Sequence, residues 1–288
     1  MPQAAPAASE YRASLPAIWS ALIVVYLIWG STYLAIRYAV ETTPPFLMAA
    51  VRFIISGGFL YALRRFKGDP RPEAAEWRSA VIIGIFLLVG GNGGVAWAEQ
   101  FVTSSLAALL VATVPLWMVL IDTLRPAGQR PGLTAVAGIL IGFVGVVLLI
   151  GSAASRADAA NFAGAIVLLL ASLSWSTGSI YGKSAKLPAS QLLGTGMQML
   201  AGGAALMLLA LLRGEWSDFE LAAVSPRSAL ALAYLTVIGS SAFVAYVWLL
   251  RVAPTPLVAV LLGYFLARES MTVHTLLAAG LSSDRWCW

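Results

Sequence analysis

From residue 15 to residue 40 the chain reads LPAIWSALIVVYLIWGSTYLAIRYAV, 26 residues in which Arg37 is the sole charge. A hydrocarbon core about 30 Å thick takes roughly 20 apolar residues wound as a helix. The run is thus long enough to cross a bilayer. It is too long for the apolar region of a signal peptide and has no convincing cleavage site, so it reads as a retained helix. It is continuous rather than alternating, which favours a helix over a barrel strand.

The pattern recurs along the chain. Apolar runs at 44–63, 79–98, 105–124, 133–150, 163–181, 191–212 and 228–250 bring the count of good crossings to eight. Composition agrees: 60% of residues are hydrophobic and 11% charged, and the mean hydropathy is +0.85. A soluble domain carries about 25% charged residues. A sizeable soluble domain, a disordered protein and a disulfide-stapled secreted module are therefore excluded. Cys287 is the single cysteine, so no internal disulfide is possible. The net charge of +5 is explained by basic loops retained on the cytoplasmic side, without nucleic acid as a partner.

Loop charges set an expected orientation. With the N-terminal segment 1–14 inside, the cytoplasmic segments hold eleven Lys and Arg: Arg12, Arg64, Arg65, Lys67, Arg71, Arg78, Arg125, Arg130, Lys183, Lys186 and Arg251. The outer loops hold four: Arg156, Arg213, Arg227 and Arg268. The contrast predicts a multi-pass protein of the inner (plasma) membrane with a cytoplasmic N-terminus.

The chain also echoes itself. Trp29-Gly30-Ser31-Thr32 is matched by Trp175-Ser176-Thr177-Gly178, and residues 90–96 by residues 239–245, at offsets of 146 and 149. Five helices separate the copies, and an odd number inserts the second copy upside down. Inverted repeats are a transporter signature, with the substrate site where the repeats meet near the midplane.

These residues resemble a known family. Tyr26-Leu27-Ile28-Trp29-Gly30-Ser31-Thr32-Tyr33-Leu34-Ala35-Ile36-Arg37 is similar to the first-helix motif of EamA-type transporters in the drug/metabolite transporter superfamily. Pro44-Pro45 followed by Ala50-Val51-Arg52-Phe53 resembles the second-helix motif. Ala98-Glu99-Gln100, Ser104-Ser105-Leu106-Ala107-Ala108-Leu109 and Val114-Pro115-Leu116 look like the third and fourth helices. The likeness is to the YedA-like branch and runs from about residue 19 to residue 281. It implies an all-α membrane protein, a polytopic bundle of two inverted five-helix repeats around a central cavity, with both termini cytoplasmic. The first repeat would span 15–150 and the second 163–281. The resemblance also implies export or exchange of amino acids, metabolites or drugs.

The second repeat departs from the family pattern. Members carry an aromatic stretch ending in Asn-Pro before the run that here reads Val260-Leu261-Leu262-Gly263-Tyr264, and this chain passes into it straight from Leu257-Val258-Ala259. The ninth run, 254–267, has 14 residues and reaches about 21 Å as a helix, short of the core. The tenth, 273–281, is shorter still, and 282–288 reads as an aberrant tail. The ninth and tenth helices are expected to be shortened or truncated. They should form a shallow hairpin or leave the C-terminus outside, in a protein less stable than its relatives.

Candidate substrate-binding residues are the polar and aromatic side chains within the runs. Glu99, at the outer end of the third run, is an ionisable group near the core, where such groups are costly and often functional. It suits a proton relay, although facilitated exchange needs none, and it also suits a plain interfacial carboxylate. Arg52 lies deeper, and a role in locking helices is favoured over anion binding. Arg37 is read as snorkelling to the surface. Asn92, within Gly90-Gly91-Asn92-Gly93-Gly94, suits substrate binding or interhelical glue equally. Trp29, Trp97, Trp175, Tyr181 and Tyr246 are candidate cavity aromatics, able to meet apolar or cationic substrates, or else packing aromatics. Gln198 is a lining or a gluing amide. His274 receives no role.

The leading reading is a secondary transporter working by alternating access on a small-molecule substrate. No Walker A motif, cofactor or metal site is expected. An intramembrane enzyme is disfavoured, because a serine protease would need a histidine on a second helix and Asp122 stands alone. A nonfunctional remnant of a transporter is the remaining alternative. Monomer and dimer are left undecided.

Overall fold

The computed structural model describes residues 15–125, 159–217 and 219–252, together with isolated positions 138, 142, 144 and 145. The crossing expected at 133–150 and the ninth and tenth segments lie outside the described residues, apart from those isolated positions.

All regular structure among the described residues is helical. Helix α1 covers Leu15–Ala39, α2 Pro45–Phe66 and α3 Ala74–Gly84. Helix α3 continues without interruption through a π-helical stretch, Ile85–Gly93, into α4, Gly94–Ala98. Then come α5 Ser104–Val111, α6 Val114–Leu124, α7 Ala159–Ser184 and α8 Gln191–Leu212. Helix α9, Pro226–Tyr234, runs through a second π-helical stretch, Leu235–Gly239, into α10, Ser240–Val252. Seven spans among the described residues are long and apolar enough to cross a membrane, with α3–α4, α5–α6 and α9–α10 each counting as one.

Local chemistry sets the ends. Pro45 occupies the first turn of α2, where a missing N–H costs nothing. Pro44 offers no side-chain cap there, and Glu215 from the loop after α8 accepts the Leu47 N–H at 2.8 Å. A carboxylate suits the positive end of a helix. Gly68, at φ 92°, reverses the chain after α2. Glu73 and Glu76 form a capping box on α3. Thr103, Ser190 and Ser225 cap α5, α8 and α9 with their hydroxyls.

Helix α2 lies along α8. Their backbones touch: a Cβ built on Gly57 would sit 2.7 Å from Met199 Cβ and 2.8 Å from Leu200 N. Small residues permit this approach where lipid supplies no hydrophobic drive between helices. Helix α1 packs against α9 and α10, while α7 packs against the Ile85–Gly93 stretch, α4, α5 and α6. Outward faces are apolar, as at Leu27, which is 72% exposed.

At one end of the bundle Arg64 grips Asp69 with two bonds of 2.7 and 2.8 Å, which holds the Asp69 carboxyl below its ordinary range. Lys186 reaches Glu73 at 2.7 Å at the same end.

Candidate functional site

Four residues of α1 spaced along one helical face, Trp29, Thr32, Tyr33 and Ile36, form one wall of a cavity. Gly91, Asn92 and Val95 from the π-helical stretch and α4 form a second, and Ala171, Ser172 and Trp175 of α7 a third. Val111 and Val114 complete it. The empty space is about 630 Å³ with its open mouth included.

Val111 and Val114 flank a break between α5 and α6 at Ala112 and Thr113. Pro115 has no N–H and cannot continue the α5 ladder. Serines of α7 meet the backbone freed there: Ser176 Oγ donates to the Val114 carbonyl at 3.0 Å and Ser172 Oγ to that of Leu110 at 3.4 Å. Irregular backbone within a membrane persists where neighbours satisfy it or where it lines a cavity.

The aromatic wall is interlocked. Trp29 and Trp175 meet edge to face at 5.4 Å between centroids, and Tyr246 lies 4.9 Å from Trp29 and 5.4 Å from Trp175. Trp175 Nε1 donates to Tyr246 Oη at 2.9 Å, and Tyr246 Oη shares a 2.7 Å bond with Ser179. With both hydroxyl partners fixed, the rings have little freedom to rotate.

Asn92 is held from behind. Arg52 Nη2 donates to Asn92 Oδ1 at 2.5 Å. Arg52 itself is buried, and its Nε has no hydrogen-bond partner among the described residues. The Asn92 amide nitrogen is therefore not needed for that bond. The glycines around Asn92 let α7 approach: a Cβ on Gly91 would stand 2.7 Å from Trp175 Cε3.

A second, wider hollow opens at the end of the bundle formed by residues 40–45 and the loops after α4 and α8. Glu41, Trp97, Gln100, Phe101, Arg213 and Glu215 are among its lining residues. Glu99 lies beneath it, fully buried. Neither carboxylate oxygen has a hydrogen-bond partner among the described residues. Arg37, in the last turn of α1, donates from Nη1 to the Glu99 main-chain carbonyl just beyond the end of α4. Glu99 stands one residue beyond α4. Burial pushes its carboxyl up, and the Arg37 charge pulls the other way without cancelling the rise.

The structure thus brings Trp29, Asn92 and Trp175 together, with Tyr246 behind the two tryptophans. Trp97 lines the outer hollow, 4.9 Å from Phe101 between centroids. Gln198 is buried beside a separate small pocket with Gly178, Gly182 and Arg251. Tyr181 packs against the hydrophobic core. Sequence reasoning missed Thr32, Tyr33 and Ile36, although their spacing from Trp29 places all four on one face. It also missed the serines of α7 that close the break at Ala112.

A bundle of apolar helices around an aromatic cavity, beside a broken helix, is the architecture of a membrane transporter. The chain matches the EamA-like transporter family over residues 16–151 and again over 162–283, and it belongs to that family. It is 39% identical over 285 residues to the Escherichia coli inner membrane transporter YedA, covering 94% of this chain and 90% of YedA. It is 26% identical to the Bacillus subtilis transporter YoaV over 165 residues, 56% of each chain. A crystal structure at 20% identity superposes with a TM-score of 0.63, covering 94% of this chain and 96% of the other, a likeness of fold.

Proposed function

We propose that the protein is a secondary transporter of the inner membrane that exports or exchanges amino acids, other small metabolites or drugs by alternating access. The observation that carries this reading is the convergence of Trp29, Asn92 and Trp175, from three different spans, on one cavity beside the broken helix at Ala112. Discontinuous helices at a midplane cavity are where secondary transporters hold their substrates. The N-terminus faces the cytoplasm, in keeping with the Lys/Arg contrast between the two sets of loops.

The two halves are inverted repeats in this reading, each contributing one side of the cavity. Helix contacts support it. Exchanging α1 with α7, α2 with α8, and α3–α4 with α9–α10 turns the contact of α1 with α9–α10 into that of α7 with α3–α4, and maps the α2–α8 contact onto itself. Both third spans also carry a π-helical stretch, Ile85–Gly93 and Leu235–Gly239, at corresponding places. Such stretches recur at functional sites.

The test uses purified full chain in lipid vesicles loaded with a panel of labelled amino acids and cationic dyes. At least one compound should show saturable, protein-dependent flux and counterflow against its unlabelled form. Flux equal to that of protein-free vesicles for the whole panel, from protein that elutes as a single folded species, would contradict the reading.

A further inference from the structure

We propose that Glu99 is the proton-binding group that couples transport to a pH gradient. This rests on the transporter reading above and extends it to the driving ion.

Val95, one helical turn before Glu99, lines the inner cavity, while Trp97 and Gln100 on either side of Glu99 line the outer hollow. Glu99 therefore stands in the wall between the two spaces. Its side chain is fully buried, and both carboxylate oxygens lack hydrogen-bond partners among the described residues. An ionised carboxylate in that state is among the costliest arrangements a fold can hold, whereas a protonated one is much cheaper. A structural carboxylate would be expected to be paired. Asp69 at the opposite end and Glu215 nearby both are.

The charged groups around it supply the second state. From α1, the Arg37 guanidinium lies on the Glu99 main-chain carbonyl, and Tyr33 lies within electrostatic range of the carboxylate. Helix α5 carries no ionisable side chain, and α7 carries none between Asn161 and Ser176. Arg52 of α2 is bonded to Asn92. From α9, Arg227 stacks on the Tyr38 ring at 3.5 Å and faces Glu41. The outer hollow adds Glu41, Arg213, Glu215 and Glu220. Among the described residues Arg37 is the cation whose charge acts on the Glu99 carboxyl. A proton taken from the hollow adds to one carboxylate oxygen and leaves the group neutral. When that proton leaves for water, the carboxylate regains its negative charge, and Arg37 needs only to turn from the main-chain carbonyl to the side chain to pair with it. Because Tyr33 and Ile36 on the same face of α1 line the substrate cavity, that turn links protonation to the shape of the cavity.

Two measurements on the full chain in lipid test this. The first uses a hydrophobic carbodiimide. A protonated carboxyl adds to it and rearranges to a stable N-acylurea, gaining the whole mass of the reagent. Wild-type protein should gain that mass at Glu99 at low pH and progressively less as pH rises. Glu99→Asp should keep a labelled carboxyl at this site, and Glu99→Gln should show none. The second is transport in vesicles of a compound that the panel above identifies. One proton per cycle lets a gradient of one pH unit hold a tenfold accumulation ratio, about 1.4 kcal/mol. Wild type should approach that ratio, Glu99→Asp should retain the dependence, and folded Glu99→Gln should give no accumulation with or without the gradient. A Glu99 that stays unlabelled at low pH, or a Glu99→Gln protein that still accumulates with the gradient, would overturn the proposal. Wild-type flux indifferent to the gradient would overturn it too while leaving the transporter reading intact. Absence of all flux from the wild type would instead overturn that reading, and the coupling with it.

Discussion

Replacing Trp175 by phenylalanine should weaken substrate binding about tenfold while the bundle stays folded. The indole is one of three rings within 5.4 Å of one another at the cavity wall, and its Nε1 anchors Tyr246 at 2.9 Å. Phenylalanine keeps an apolar ring in place but removes that donor and the second half of the aromatic face. The lost neutral hydrogen bond is worth about 0.5–1.5 kcal/mol and the reduced ring contact about 0.5–1.5 kcal/mol. Those two losses fall within the protein and loosen the wall by about 1–3 kcal/mol together, whereas the tenfold effect on binding needs only ~1.4 kcal/mol of lost stacking between the substrate and the indole face. Tyr246 retains its bond to Ser179, so no buried hydroxyl is stranded and the fold should survive. Saturation curves of vesicle flux read the effect as a raised KM. Alanine at the same position should go further: truncating a fully buried tryptophan costs about 3–5 kcal/mol, half-buried Trp175 should lose part of that, and both stability and transport should fall. An unchanged KM in the phenylalanine variant would remove Trp175 from the substrate site.

The second large effect concerns the scaffold. Gly57→Ala should lower the protein's stability by about 1–3 kcal/mol, the usual cost of overpacking. Gly58→Ala should raise it slightly, because alanine is preferred to glycine in a helix by about 0.5–1 kcal/mol. The two positions are adjacent on α2 and share its helical propensity. They differ in what a new Cβ meets. At Gly57 it meets Met199 Cβ at 2.7 Å and the backbone of α8 at 2.8 and 2.9 Å, and at Gly58 only Leu200 Cδ2 at 3.9 Å. The opposite signs separate a close backbone crossing from a general effect of helix-forming residues. Thermal unfolding in detergent, followed by the fraction eluting as a single species, measures both. Equal shifts in the two variants would show that α2 and α8 do not cross as described.

The helical class was legible from the first apolar run, because a bilayer demands about 20 apolar residues per crossing and leaves few alternatives. Span limits came out within a few residues where a turn residue marks them, as at Pro44 before α2 and Gly68 after it. What the pattern could not carry was the inside of each span. Hydropathy treats residues 79–98 as one run. The change to π-helical winding between Ile85 and Gly93 depends on glycines and on contact with α7, and contact is invisible in a single sequence. The break at Ala112 is similar: Pro115 announces it, but the serines that satisfy it lie on α7. Among site residues, the tryptophans stood out by their repeat-related positions. Thr32 and Tyr33 carry no such signal singly, and only their spacing of three and four residues from Trp29 puts them on its face. The Arg37 contact is hidden for a different reason. An arginine near a span end usually snorkels, and nothing local reveals that the Glu99 carbonyl lies within its reach.

The central claim is that water and substrate reach a cavity enclosed by α1, α7 and the Ile85–Gly93 stretch. Thiol accessibility tests it most directly. In a Cys287→Ser background, single cysteines are placed at Thr32, which lines the cavity, and at Leu27, which is 72% exposed on the apolar outer face of the same helix. A charged, water-soluble thiol reagent should modify Thr32→Cys in the lipid-embedded protein and leave Leu27→Cys unmodified, and a substrate identified by counterflow should slow the reaction at Thr32→Cys. Modification of Leu27→Cys with Thr32→Cys left unreactive would mean that α1 turns its other face to water, and the account of the cavity would be wrong.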